Sequence, residues 1–171
     1  MTTQEIGSKI EAAVGYLTEH PEEARYTDSA AVATLGDSLR CRVTGPNGLS
    51  IVTDMSSSVG GLRVHPSPGW LWRAAMASCT ATVIGMRAAQ LGVEVERLEV
   101  TVDSESDDRG ILGIDESIPA GPLSIRVHVR IDAPGTDGDQ LRELAGWGSG
   151  HCPVCEGAKR AVPVTVEIEA S

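Results

Sequence analysis

The sequence predicts an α+β domain with a mainly antiparallel sheet and a long buried helix set among the strands. Three observations carry this reading. Segments of alternating apolar residues follow one another along the chain, at 39–54 and at 93–132, rather than alternating with helices one by one. Between them lies a segment, residues 70–92, whose only charges are Arg73 and Arg87. No glycine-rich phosphate loop follows any strand, so a doubly wound nucleotide-binding fold is not expected.

The 171 residues suit one domain with a sizeable core, and apolar residues make up 41% of them. A net charge of −10 and the lack of any basic stripe argue against nucleic acid as partner. No apolar run reaches the length of a membrane span. The start "MTTQEIGSKIEAAV" has neither a basic n-region nor an h-region. The expectation is therefore a soluble, cytoplasmic protein without a membrane partner.

The elements follow in order. Ile6, Ile10, Ala13, Val14 and Leu17 stand at helical spacing, and the acidic, proline-bearing "TEHPEEARYTDS" reads as a joint. Residues 1–27 are thus expected to be a helical extension and joint, with the main domain at 28–171. In "LRCRVTGPNGLSIVTD", Leu39, Cys41 and Val43 alternate with Arg40, Arg42 and Thr44, and "GPNG" supplies a hairpin turn. Cys41 falls on the apolar face, where a small buried hydrophobe suffices as its role. "MSSSVGGLRVHPSPG" reads as a loop carrying His65, which has no ligand partner at a recognisable spacing.

"WLWRAAMASCTATVIGMRAAQLG" runs from a Pro-Gly start to a stop at Gly92, with Cys79 in its middle. A helix apolar around most of its circumference is a buried one. "VEVERLEVTVDSE" and "LSIRVHVRID" read as strands. In the second, Leu123, Ile125, Val127, Val129 and Ile131 face in, and Arg126, His128 and Arg130 face out. The acidic "SDDRGILGIDESIPAG" connects them. "GDQLRELAGWG" and "PVCEGAKRA" read as short helices, and "VPVTVEIEA" as a last strand with Val162, Val164, Val166 and Ile168 on one face.

Four cysteines, Cys41, Cys79, Cys152 and Cys155, stand in a chain expected to lie in a reducing compartment, where catalysis, metal binding or burial are the usual roles. The three tryptophans, Trp70, Trp72 and Trp147, precede Cys79 or Cys152, as core filling or as an apolar lining of a thiol site. Three readings of "GHCPVC" stand side by side. A zinc site would draw on Cys152, Cys155, His151 and Cys79, but a single CxxC lacks the second ligand pair of structural zinc sites. A self-contained redox pair has the local chemistry. Pro153 suits the first helical position, which puts Cys152 near the N-cap, where free N–H groups favour a thiolate. In the third reading Cys152 partners Cys79. Burial alone would make Cys79 inert, so it needs a nearby cation, and after oxidation a second thiol.

"PSPGWLWRAAMASCTATVIGMRAAQLGVEVERLEVTVDSESDDRGILG", followed by "GHCPVC" and "AVPVTVEI", resembles the OsmC/Ohr family of thiol-dependent peroxidases over roughly residues 28–171. The parts that carry the resemblance are the helix with its mid-helix cysteine, the "D-RG-LG" connection and "CPV" before the last strand. The resemblance implies an intertwined homodimer whose sheets wrap long central helices, with two sites at the dimer interface. It implies Cys79 as the attacking thiol and Cys152 as the resolving one. Organic hydroperoxides are the implied substrates and a dithiol, such as a lipoylated protein, the implied reductant. No metal or bound cofactor takes part. An arginine activates the attacking thiol in that family, for which Arg40, Arg42 and, on the helix itself, Arg73 are candidates. Arg73 also reads as a stem packed in an interface with its head in solvent. The sequence departs from the family where Gly69 stands ten residues before Cys79, in place of a glutamate that holds the arginine. Cys155 is a second departure, as an alternative resolving thiol, the seat of a second, exchangeable disulfide, or a spare thiol. The alternative reading of the whole chain is an OsmC-like dimer without peroxidase activity that binds a small apolar or electrophilic ligand.

Overall fold

In a computed structural model describing residues 1–170, ten regular elements follow the order foreseen from the sequence, with three differences. They fall into two compact units. One comprises residues 1–7 and 76–171 and the other residues 8–75.

The unit of residues 8–75 holds most of α1 (Thr3–Glu19) and a three-stranded antiparallel sheet, β1 (Val32–Leu35), β2 (Cys41–Thr44) and β3 (Ser50–Thr53), in that order. The expected hairpin is β2–β3, closed through Pro46–Gly48 with Asn47 and Gly48 at positive φ. Strand β1 was not foreseen, because "VATL" is too short and too rich in small residues to show an alternation. Leu39 does not join the strand as expected. Ser38 and Leu39 both take left-handed φ values, 55° and 61°, and form the turn that brings β1 back against β2. After β3, the segment expected as a loop at 55–69 turns helical from Pro68, and its first part is fastened by Asp54. This buried carboxylate accepts from the backbone N–H groups of Met55, Leu62 and Val64 at 2.7, 3.1 and 3.0 Å.

Helix α2 (Pro68–Gln90) begins at Ser67, whose Oγ accepts from Trp70 N–H, with Pro68 in the first turn. It ends as expected at Gly92, whose φ of 67° turns the chain while Val93 N–H bonds back to Ala88 C=O at 2.9 Å. Within the unit of residues 76–171, Met76, Thr80, Ile84 and Ala88 form a buried stripe at four-residue spacing. Ile84 and Ala88 pack with Leu144 of α4 (Gly138–Gly150), and Leu98, Val100, Val129 and Ile131 lie against them.

Those last four belong to a two-stranded antiparallel ribbon, β4 (Arg97–Glu105) and β5 (Ser124–Asp132), in the register Leu98↔Ile131 and Val100↔Val129. The opposite face is solvated, as the alternation predicts. Arg126 pairs with Asp103, Arg130 with Glu99, and His128 is exposed beside Thr101. The connection carries a single helical turn, α3 (Asp108–Ile111). Asp107 caps it, accepting from Arg109 N–H and from its guanidinium, which holds the carboxyl down at about 2.

After the new strand β1 and the helical turn α3, the last expected strand is the third difference. Residues 161–170 form no ladder, and Val164, Val166 and Ile168 are 82%, 75% and 85% exposed. The alternation is that of a strand, but among the described residues no strand pairs with it.

Candidate active site

Helix α2 carries Cys79 and, one residue on in the buried stripe, Thr80. Helix α4 brings a second group of thiols against them. It runs into His151, its C-cap, and then directly into α5 (Pro153–Lys159), of which Cys152 is the N-cap. The proline at the first helical position and the cysteine before it form the start that the sequence implied. Cys155 N–H donates to Cys152 Sγ at 3.4 Å, so the sulfur occupies the place of a capping oxygen. The approach of the helices is fixed by Gly148, which lies against Ile84 with no room for a side chain.

Three thiols thereby converge, all reduced. Cys152 stands in the middle. The Thr80 hydroxyl stands 3.3 Å from Cys155 Sγ, and hydrogen bonding couples the titration of Cys152 to Cys79, Cys155 and Thr80. Cys152 is 0% exposed and Cys155 4%, while Cys79 is only half-buried. Of the pair implied by the resemblance, Cys79 is thus the less buried residue.

The donors decide which thiol ionises. Burial pushes Cys152 up, but the bonds from Thr80, from Cys155 N–H and S–H and from Cys79 outweigh it, and its thiol is held below the ordinary value. Burial pushes Cys79 up, Val154 N–H pulls against this, and donation to Cys152 adds to the rise. Cys155 is likewise raised by burial and by donation to Cys152, against the hydroxyl of Thr80 and the nearby charge of Lys159. Within the cluster Cys152 is the thiol whose ionisation is favoured. The sequence-based expectation was that helix-start N–H groups favour this thiolate. The part played by the hydroxyl of Thr80 was not foreseen. Its signal was only its place next to Cys79.

A cavity of about 310 Å³ opens beside the cluster. Met76, Ile125 and Val127 give it apolar walls, Thr80 and Lys159 supply polar groups, and of the three thiols Cys155 is the one that lines it. The inward face of β5 at Ile125 and Val127, which the alternation assigned to the core, here borders this space.

The remaining candidates fall elsewhere. Arg40 and Arg42 lie in the unit of residues 8–75, where they line a cavity of about 500 Å³ with Asp37 and His65. Arg73 lies in the same unit. A Cβ built on Gly69 would stand 3.8 Å from its Nη1, so the position where the resembled family carries glutamate is next to this guanidinium. Cys41 is half-buried on β2. Trp147 does not line the thiol cavity. Its ring stacks on His151 at 3.9 Å, Arg87 sits 4.7 Å above it, and it borders a separate cavity of about 410 Å³. His151 Nδ1 meets Trp147 C=O at 2.7 Å. Among the described residues the cluster with the spacing of metal ligands is His20, Glu22 and Glu23, which contains no thiol. Nor, among them, is any helix long and apolar enough to cross a membrane.

Comparison with known proteins bears on what this geometry is. No curated protein matches the chain in sequence. Solved structures do share its fold. An OsmC-like protein from Mycoplasma pneumoniae superposes with a TM-score of 0.65 at 15% identity, covering 80% of this chain and 91% of that one. An organic hydroperoxide resistance protein from Legionella pneumophila gives 0.58 at 19%, covering 80% and 92%. The organic hydroperoxide resistance protein OhrB of Bacillus subtilis gives 0.52 at 19%, covering 79% and 92%. The sequence pattern of the family described as OsmC-like protein matches residues 60–167, which include Cys79, Cys152 and Cys155 and well over half of the chain. The chain belongs to the OsmC-like protein family.

Proposed function

We propose that this protein is a cysteine-based peroxidase that reduces organic hydroperoxides. The observation that supports the reading is the cluster that joins the half-buried Cys79 to the sealed Cys152 and Cys155, with Cys155 N–H on Cys152 Sγ at 3.4 Å. Some structures that share the fold belong to organic hydroperoxide resistance proteins.

The chemistry balances within the pair. Cys79 passes its proton to Cys152 along the hydrogen bond, and its sulfur attacks the distal oxygen of the hydroperoxide. The O–O bond breaks, the alcohol leaves as it takes up a proton, and Cys79 becomes a sulfenic acid. Cys152 then attacks that sulfur and expels water, giving a Cys79–Cys152 disulfide. One hydroperoxide and two thiols yield one alcohol, one water and one disulfide. An external dithiol restores the thiols.

Burial raises Cys79, so the step gains from a cation that stabilises the attacking sulfur and the departing oxygen. Arg40, Arg42 and Arg73 are the candidates. Without a glutamate at position 69, no family clamp fixes which of them acts. A homodimer accompanies this reading. The alternating, exposed Val164, Val166 and Ile168 need a partner strand, and a second copy supplies one.

The test is stopped-flow oxidation of the reduced protein by cumene hydroperoxide, with the disulfides then mapped by mass spectrometry. Fast oxidation to a Cys79–Cys152 bridge, abolished in Cys79→Ser, is expected. Oxidation no faster than that of a free thiol overturns the reading and leaves a dimer that binds a small apolar or electrophilic ligand.

A further inference from the structure

Cys155 is a third buried thiol that a two-cysteine cycle does not use, yet it has the closest relation to the open cavity. Three observations bear on it. Cys152 is fully sealed, so external thiols have no path to it. Cys155 touches the cavity of about 310 Å³ and has Lys159 nearby. Cys152 is the N-cap of α5 and Cys155 lies three residues on, with Cys155 N–H already on Cys152 Sγ. Residues three apart at a helix start are neighbours at about 5–6 Å between Cβ atoms, and disulfides bring such atoms only somewhat closer.

We propose that Cys155 is a relay thiol: it takes over the disulfide from Cys79 and presents it in the cavity to an external dithiol. The proposal rests on the peroxidase reading for the origin of the first disulfide, although the exchange itself needs only that this disulfide form. In the first step Cys155 sulfur attacks Cys152 Sγ. The Cys79–Cys152 bond breaks, its electron pair leaves on Cys79, and the proton given up by Cys155 is taken up by Cys79. No net oxidation occurs. In the second step one sulfur of the dithiol attacks Cys155 Sγ and releases Cys152, the thiol of the three whose anion is favoured and hence the best leaving group. The second sulfur of the dithiol then displaces Cys155 from the mixed disulfide and closes its own ring. The dithiol is oxidised and all three thiols are restored. Cys79 is free to meet the next peroxide while the reductant works at a different sulfur. The cavity walls favour a dithiol on an apolar chain, and the charge of Lys159 favours its thiolate.

The full-length protein tests this with two oxidants in parallel, one equivalent of cumene hydroperoxide or of diamide, which forms disulfides without a peroxide. Samples are quenched with N-ethylmaleimide and mapped by mass spectrometry. The expected end state has a Cys152–Cys155 bridge and the label on Cys79. Cys155→Ser is expected to stop at Cys79–Cys152 and to be reduced by dihydrolipoamide at least about tenfold more slowly than wild type. A label that stays on Cys155 in the wild type, or wild-type reduction of Cys155→Ser, overturns the relay. If diamide gives the Cys152–Cys155 bridge while the hydroperoxide oxidises nothing, the peroxidase reading fails and the relay stands.

Discussion

Gly148 of α4 and Ile84 of α2 approach so closely that a Cβ on Gly148 would stand 2.5 Å from Ile84 Cγ1 and 2.8 Å from its Cα. Backbone as well as side chain blocks the space, so a small rotation of Ile84 does not relieve it. Since Cys152 follows α4 by two residues, this contact also sets where Cys152 meets Cys79. Gly148→Ala gains helix propensity of about 1 kcal/mol but overpacks by more, at about 1–3 kcal/mol or above. A net loss of about 2 kcal/mol is expected, a fall of roughly 4–8 °C in Tm. The thiols should also lose their order of acidity. Differential scanning calorimetry and thiol titration check the two effects separately.

Thr80→Val keeps the shape of a fully buried side chain and removes one hydroxyl. That hydroxyl lowers both Cys152 and Cys155, so both are expected to titrate higher in the variant. Stability should fall by about 1 kcal/mol for the lost hydrogen bond. Ultraviolet thiolate absorbance against pH reads the first effect. Unchanged titration would mean that Thr80 serves packing alone.

The shared proton of Cys79 and Cys152 gives the oxidation rate a shape. Cys152 lies below the ordinary thiol value of about 8.5 and Cys79 above its own. The rate of oxidation by cumene hydroperoxide should rise as pH climbs through the lower value, level off, and rise again as Cys79 itself ionises. Cys152→Ser should lose the lower rise and keep the upper one. A wild-type profile with a single rise above about 8.5 would show that Cys152 does not take the proton.

Asp54 holds the 55–64 loop through three backbone N–H groups, Val64 foremost, and burial opposes them less than they gain. Its pKa in the folded protein is lowered. The stability it contributes is therefore present above the unfolded value of about 3.9 and lost as pH falls through the lower folded value. Asp54→Asn should remove that acid limb and speed amide exchange at Leu62 and Val64 at neutral pH. Hydrogen exchange against pH in both proteins checks it.

Val166→Asp places a charge in the exposed alternating segment. If a second copy pairs with this segment, the dimer loses the burial of a valine and gains an unpaired charge, and its dissociation constant should rise by at least about a hundredfold. Sedimentation velocity over a range of concentrations measures this. A variant that sediments like the wild type would place the dimer contact elsewhere.

Local pattern and tertiary arrangement divided this protein along a physical line. Helix α2 with its stop at Gly92, the alternation of β4 and β5, and the start of α5 at Cys152-Pro153 were legible in the sequence, because each is set by residues within a few positions. So was the solvated face with Arg126, His128 and Arg130. The turn at Ser38 and Leu39 was not, since left-handed φ values in non-glycine residues are imposed by the strands they join. The fate of residues 162–168 was not legible either: an alternating segment declares a strand, but pairing needs a neighbour, and sequence spacing does not say which chain supplies it. The site shows the same division. The sequence marked Cys79, Cys152 and Cys155 as chemistry-bearing. Only the close approach of α2 and α4 at Gly148 put Cys152 between the other two and under Thr80, and that placement decides which sulfur is sealed, which is reachable and which holds the charge.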